Sequence, residues 1–292
     1  MANLSSTITI LRPHLRDLGG FAVRRVLPAI SHQTVGPFIF FDHFGPVEMA
    51  PGEGVDARPH PHIGLATVTY LFDGALMHRD SLGSVQRITP GDVNWMTAGR
   101  GIVHSERSAP EDRVAGIRMH GLQTWVALPS DLEDADPSFT HVPSATLPRI
   151  DVDGAHVVVV AGHAFGHRAP TPTTSDTLYA AVELPAGATL DVPAEHEERA
   201  VYSVAGALDI DETPVPEAHM AVLAARESVR VTARSAATLM LVGGAKPDGE
   251  RFIWWNFVAS SRERIEDAKV KWRGQQYGAV PGDNEFIPLP EH

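Results

Sequence analysis

The chemistry this chain could perform is concentrated in two short stretches. The first is Arg58-Pro59-His60-Pro61-His62, and the second, about forty residues on, is Gly101-Ile102-Val103-His104-Ser105-Glu106. On an extended backbone, side chains two residues apart point to the same face, so His60 with His62 and His104 with Glu106 form two matched pincers. Two adjacent strands would aim all four at one point. Three imidazoles and one carboxylate are a good donor set for a first-row transition ion, and none of them is a thiol. A lone His-x-His pair would more often face solvent, and the second pincer is what gives the first its meaning. It closes the run Pro90-Gly91-Asp92 to Gly99-Arg100-Gly101, whose glycines fit a backbone bent for close approach.

Such a site needs a rigid frame, and the composition supplies one. The chain has 292 residues, 43% of them hydrophobic, which is enough for two domains with sizeable cores. Its 24 basic and 36 acidic residues give a formal charge of −12, a balance that repels phosphate backbones and disfavours direct nucleic-acid binding. Cysteine is absent. Disulfides, zinc-thiolate sites and cysteine nucleophiles are therefore excluded, and a reducing cytoplasm is the expected location. No apolar run approaches the length needed to cross a bilayer, so no membrane partner is expected.

The elements around the pincers read as strands. Thr7 to Leu11 and Phe21 to Leu27 are short apolar stretches broken by Pro and Gly, and Phe38 to Phe41 is a compact apolar run whose rings, with His43, are expected in the core. Ala66 to Phe72 is rich in β-formers and ends at Asp73-Gly74, a hairpin signal. Strands follow over Leu76 to Arg79, Gln86 to Ile88, Val93 to Met96 and Ile117 to Leu128, the last carrying Gln123 and Trp125. Strands this closely spaced, with no helical period between them, predict an antiparallel barrel or sandwich. The acidic, proline-containing stretch from Ser130 to Pro148 is the expected boundary, giving a metal-binding domain over 1–140 and a second domain over 141–292. Beyond it the β rhythm resumes until Ser260-Ser261-Arg262-Glu263, a capping-box pattern. That pattern opens a helix over Arg264 to Trp272 ended by Gly274, with Ile265, Ala268 and Trp272 on one face. The tail after it is expected to lie extended over the surface.

Taken together, Phe40-Phe41-Asp42-His43-Phe44-Gly45-Pro46, Pro59-His60-Pro61-His62, Thr67-Val68-Thr69-Tyr70-Leu71, His78-Arg79-Asp80-Ser81-Leu82-Gly83 and Trp95 to Glu106 resemble the pirin family of the cupin superfamily. The second half, with Arg199-Ala200-Val201-Tyr202 and Gly243-Gly244, resembles that family's C-terminal domain less sharply. The resemblance implies an all-β bicupin: two tandem antiparallel β-barrels of jelly-roll type, with a short C-terminal helix. It implies one mononuclear metal held by His60, His62, His104 and Glu106, the four residues the spacing selects. Family members are linked to iron-dependent quercetin 2,3-dioxygenase activity or to non-catalytic regulation. The two expectations are therefore a dioxygenase taking a flavonol-like substrate and dioxygen, and a redox-sensing regulator that binds a transcription factor or metabolic enzyme. Fe(II) is the expected ion, with Ni, Mn, Co, Cu and Zn as alternatives at a mixed nitrogen and oxygen site. Pirins commonly carry a glutamate where this chain has Ala66, which puts any proton-transfer role of that residue in question. In the second half, Glu195-His196-Glu197 stands where a second His-x-His would fall but holds one histidine, and no His-x-Glu follows at Val222 to Glu227. The expectation there is an acidic solvated turn and no second metal.

Overall fold

The computed structural model describes residues 8–17, 22–225 and 227–291. The chain is built from antiparallel strands, and it sorts into two compact units that do not follow chain order. One unit comprises Phe44–Ser144 together with the segment from Pro247 onward; the other holds Arg24–His43 and Ala145–Lys246. The change of unit at Ser144 falls inside the acidic stretch read as a boundary. The expected division into 1–140 and 141–292 is corrected at both ends: Arg24–His43 group with the second half, and the segment from Pro247 onward, with the C-terminal helix, groups with the pincers.

The reason is apolar burial. Ile63 and Val103, next to the two pincers, share one buried cluster with Phe257, Ile265, Ala268, Trp272 and Val280. The helix spans Arg262–Arg273, two residues earlier than the capping box suggests. Ser261 is the N-cap, accepting from the Arg264 amide, and Gly274 closes the helix through its N–H to the Trp272 and Val270 carbonyls. Ser260 is used elsewhere: its hydroxyl donates to Glu133 at 2.7 Å. Buried Glu133 also lies between Arg251 and Arg264, so part of the acidic stretch anchors the helix rather than serving as a free linker. The tail is tied down as well. The Ile287 amide donates to the Pro59 carbonyl, Trp272 Nε1 donates to the Ile287 carbonyl, and Arg107 pairs with Asp283 at 2.8 Å.

In this unit the strands order Asp56–His62, Ile102–Arg107, Leu76–Asp80, Val85–Ile88 in one sheet. A second sheet runs Ser138–Val142, Val93–Thr97, Leu65–Asp73, Ile117–Ala127. The strands Leu65–Asp73, Leu76–Asp80, Val85–Ile88, Val93–Thr97 and Ile117–Ala127 match the sequence-predicted ones within a residue or two because alternation and turn residues mark them well, whereas Ser138–Val142 falls inside the stretch read as a boundary and was not expected. A six-residue helix, Pro110–Ala115, was not expected; it opens on proline with Glu111 and Asp112 in its first turn.

The other unit repeats the plan. Its larger sheet orders Thr9–Leu11, Met220–Val222, Glu198–Ala205, Ala237–Gly244, Thr177–Leu184, Ala155–Ala164, Arg149–Val152, and the smaller one Thr189–Val192, Val229–Ala233, Leu208–Ile210, Thr213–Val215. Phe38, Ile39, Phe40 and Phe41 are buried here, as expected of that run, and His43 is structural, its Nδ1 lying 2.7 Å from the Tyr202 hydroxyl.

Candidate metal centre

Strand register brings the pincers together. His60 pairs with His104 and His62 with Ile102 across the antiparallel strands Asp56–His62 and Ile102–Arg107. Between His104 and Glu106 the register shifts so that Glu106 faces Ala57, an irregularity that re-aims the carboxylate. The glycines before the second pincer are needed for close approach, as anticipated. A Cβ on Gly99 would lie 2.1 Å from the Ala135 carbonyl oxygen, and one on Gly101 would lie 2.2 Å from the Tyr277 ring.

The three histidines form one group with ligand nitrogens within 4.8 Å of one another. Each ring is held by its Nδ1. His60 donates to the Arg58 carbonyl at 2.7 Å and His62 to the Asn256 carbonyl at 3.1 Å. A carbonyl can only accept, so both Nδ1 atoms carry the proton and both Nε2 atoms offer a lone pair. His104 Nδ1 makes a long contact of 3.5 Å with His78 Nδ1, and His78 Nε2 reaches Asp80 Oδ2 at 3.0 Å. Because Asp80 accepts, the proton order runs from His104 Nδ1–H to His78 Nδ1 and from His78 Nε2–H to Asp80. His104 Nε2 is thereby left bare, 3.1 Å from His62 Nε2. Two lone pairs this close repel unless a cation lies between them. For metal–nitrogen bonds of about 2.1 Å, two nitrogens on one ion would lie about 3.0–3.4 Å apart, so these two imidazoles are close enough to share one.

Glu106 is placed differently from the simple expectation. It does not join the three-histidine group; it gathers with His104 and His78 in a second one, so that His104 is common to both. Its carboxylate accepts from Thr69 Oγ1 at 3.0 Å and from Gln123 Nε2 at 3.4 Å. Sequence reasoning missed His78 and Asp80 as parts of this centre. Their signal is weak, since they stand on the single strand Leu76–Asp80, and only its pairing of His78 with Glu106 and Asp80 with His104 reveals them. His78 is further fixed by stacking on Phe139 at 4.2 Å.

The opposite wall comes from the second sheet. Thr67 pairs with Trp125 and Thr69 with Gln123, so these four share the face that meets the histidines, and the His62 and Trp125 rings stand 5.2 Å apart. His62 and His104 are fully buried while His60, Glu106 and Gln123 are partly exposed, so the centre opens to solvent on their side. Ala66 pairs with Val126 on the other face of the same strand and is fully buried. A glutamate at 66 would therefore point away from Glu106. Ala66→Glu is expected to cost about 3 kcal/mol or more through overpacking and a buried carboxyl group, without raising any activity. Denaturant unfolding checks this, and a variant as stable as the parent but more active would contradict the placement.

Burial governs the titration. Desolvation lowers His60 to about 4, against the backbone acceptor that favours its charged form, and holds His62 and His104 well below the usual histidine range with help from neighbouring rings. Desolvation raises the Glu106 carboxyl, opposed by His78, Thr69 and Gln123. The metal-free histidines thus stay neutral when folded, whereas in the unfolded chain they take up protons below about 6.5. Because the unfolded state binds more protons between those limits, metal-free protein should lose stability as pH falls from about 6.5 toward 4, by up to about 1.4 kcal/mol per pH unit for each such histidine. Denaturation midpoints at pH 7 and pH 5, measured in chelator on the parent and on His60→Ala, test this; equal pH dependence would contradict it.

Two stacked-sheet β units, one carrying a buried cluster of histidines at a sheet face, define a bicupin. The chain matches the model of the pirin family over residues 20–126 and that of the pirin C-terminal cupin domain over residues 179–278. It is 50% identical to a pirin-like protein of Caulobacter vibrioides across 94% of this chain and 96% of that one, and 32% identical to human pirin across 93% of each. The chain belongs to the pirin family. Its structure is similar to the crystal structure of quercetin 2,3-dioxygenase from Acinetobacter baumannii, with a TM-score of 0.89 and 31% identity over 98% of this chain and 96% of that one. Among the described residues no helix is long and apolar enough to cross a membrane.

Proposed function

We propose that His60, His62, His104 and Glu106 hold one Fe(II) ion and that the chain is a dioxygenase acting on flavonol-like substrates. The observation that carries the metal reading is the pinning of the His60 and His62 Nδ1 atoms by backbone carbonyls and of His104 by His78. This arrangement presents three bare Nε2 atoms on one side, the outer-sphere pattern that orients imidazole ligands. Similarity to a quercetin 2,3-dioxygenase structure over nearly the whole chain supports the substrate class.

When bound, such an ion supplies a redox-active Lewis acid that favours ionisation of a chelating phenol and lets electrons pass from the organic ligand to dioxygen. The chain's own residues do the rest. Thr69 and Gln123 hold the Glu106 carboxylate from the side that its partial exposure opens to a substrate, so Glu106 is the group placed to accept a phenolic proton. Trp125, packed edge-on to His62, and buried Met96 and Thr67 on the same face supply an apolar wall that limits water at the closed side.

The test is single-turnover oxygen uptake by protein reconstituted anaerobically with Fe(II), with quercetin as probe and His62→Ala as comparison. Oxygen consumed in step with flavonol lost, by the parent alone, is the expected result. Parent and variant that behave alike with every flavonol tried would remove the dioxygenase and leave a metal-dependent regulator as the better account.

A further inference from the structure

We propose that His163, Asp176 and His196, all in the unit built around Ala145–Lys246, form a second, open site for a divalent first-row transition ion, bound through His163 Nδ1, His196 Nδ1 and the Asp176 carboxylate. The three residues come from separate stretches: His163 from the strand Ala155–Ala164, Asp176 from the turn before Thr177–Leu184, and His196 from the turn before Glu198–Ala205. Their ligand atoms lie within 4.8 Å of one another. His196 is not the solvated turn residue that its acidic neighbours suggest; it is buried.

The hydrogen bonds of His196 carry the inference. Its Nε2 lies 3.1 Å from the His163 carbonyl oxygen, which can only accept, so Nε2 bears the proton. Its Nδ1 then directs a lone pair at Asp176 Oδ2, 2.9 Å away. A lone pair and a carboxylate oxygen at that distance repel unless a proton or a metal ion lies between them. The second histidine favours the metal. His163 Nδ1 stands 3.5 Å from the other carboxylate oxygen, and the two imidazole rings are 4.3 Å apart, a pairing that a single shared proton does not require. An imidazole whose remote N–H is fixed by a backbone carbonyl is also how ligating histidines are usually oriented.

The backbone is shaped for it. Gly162, next to His163, follows a register shift and has φ +71°, and Asp176 is held by the Ala245 amide and by Gly244, whose Cβ would fall 2.1 Å from the Asp176 carbonyl. His163 is partly exposed and Asp176 exposed, which leaves room for water to complete the coordination. Two imidazoles and one carboxylate suit Zn(II), Ni(II), Co(II) or Cu(II) over Mg(II) or Ca(II). One feature opposes binding: an Arg168 guanidinium nitrogen lies 3.3 Å from His163 Nδ1, so the arginine must swing outward and the site is the weaker of the two.

Equilibrium dialysis of the full chain against Zn(II) at pH 7.5 tests this independently of the first centre. Two ions per chain are expected for the parent, one for Asp176→Asn and one for His104→Ala, which removes the other centre. Asp176 is exposed and His163 partly so, and Asp176→Asn and His163→Ala should therefore fold even where His196→Ala does not. Arg168→Gln should tighten the weaker site about three- to tenfold by removing a nearby positive charge, an effect that a purely structural histidine pair would not show. A stoichiometry that Asp176→Asn and His163→Ala both leave unchanged, whether the parent binds one ion or two, would overturn the proposal. So would a nitrogen-correlated proton spectrum showing His196 Nδ1 still protonated in excess Zn(II), since a proton would then hold the position assigned to the metal.

Discussion

His104→Ala should weaken binding of a divalent first-row ion at the first centre by well over a hundredfold, the largest effect of any single replacement there. His104 is the residue shared by both ligand groups, its Nε2 lies 3.1 Å from that of His62, and it is fully buried. Loss of an outer partner alone commonly costs ten- to a hundredfold, so loss of the ligand itself should exceed that range. Asp80→Asn gives the graded comparison. Asp80 Oδ1 accepts from the Leu82 and Ser84 amides, so an asparagine that keeps those bonds turns its NH2 toward His78 Nε2. His78 would then carry its proton on Nδ1, facing the Nδ1–H of His104, and affinity should fall about ten- to a hundredfold. Competition against a chelator of known affinity measures both. A change of less than threefold for His104→Ala would remove it from the coordination sphere.

The second large effect is on stability. Trp272→Ala is expected to cost about 3–5 kcal/mol, the range for truncating a large buried aromatic residue. Its ring is 2% exposed, stacks on Phe286 at 4.6 Å, and donates from Nε1 to the Ile287 carbonyl, so the cavity and the orphaned carbonyl add together. The same cluster contains Ile63, the residue after His62. Metal affinity should therefore fall along with the unfolding free energy. Denaturant unfolding with and without metal is the measurement, and a loss below about 1 kcal/mol would show that the helix is not the support that its burial indicates.

How far the sequence could carry this reading depends on whether a feature is local. His60, His62 and His104 are legible because alternation fixes which side chains share a face and one antiparallel pairing brings the three imidazoles together, whereas Glu106 gathers with His104 and His78. The helix was legible from its cap and its apolar stripe, although it starts two residues before the expected Arg264, directly after the Ser261 cap. Its docking partner was not, since a stripe says that a face is buried and not against what. His78 and Asp80 escaped because their role arises from pairing with Glu106 and His104 along a strand that carries no motif of its own. Glu195-His196-Glu197 was noticed but read as an acidic solvated turn, because 33 and 20 residues separate His196 from His163 and Asp176 and no local spacing links them. The grouping of Glu106 with His78 rather than with His60 and His62 came from a register irregularity that alternation cannot foresee.

The carbonyl that fixes His62 belongs to Asn256, which lies 150 residues after Glu106. A ribosome adding about 5–20 residues per second needs about 8–30 s to cover that interval. Throughout that time the nascent chain carries all four pincer residues but neither the acceptor for His62 nor the apolar cover for Ile63 and Val103. Tight metal capture should therefore be an event of the finished chain, governed by the ions available after release and not during synthesis. Chains arrested at residue 250 should bind metal much more weakly than complete ones, and equal affinity would show that the first strands assemble their centre unaided.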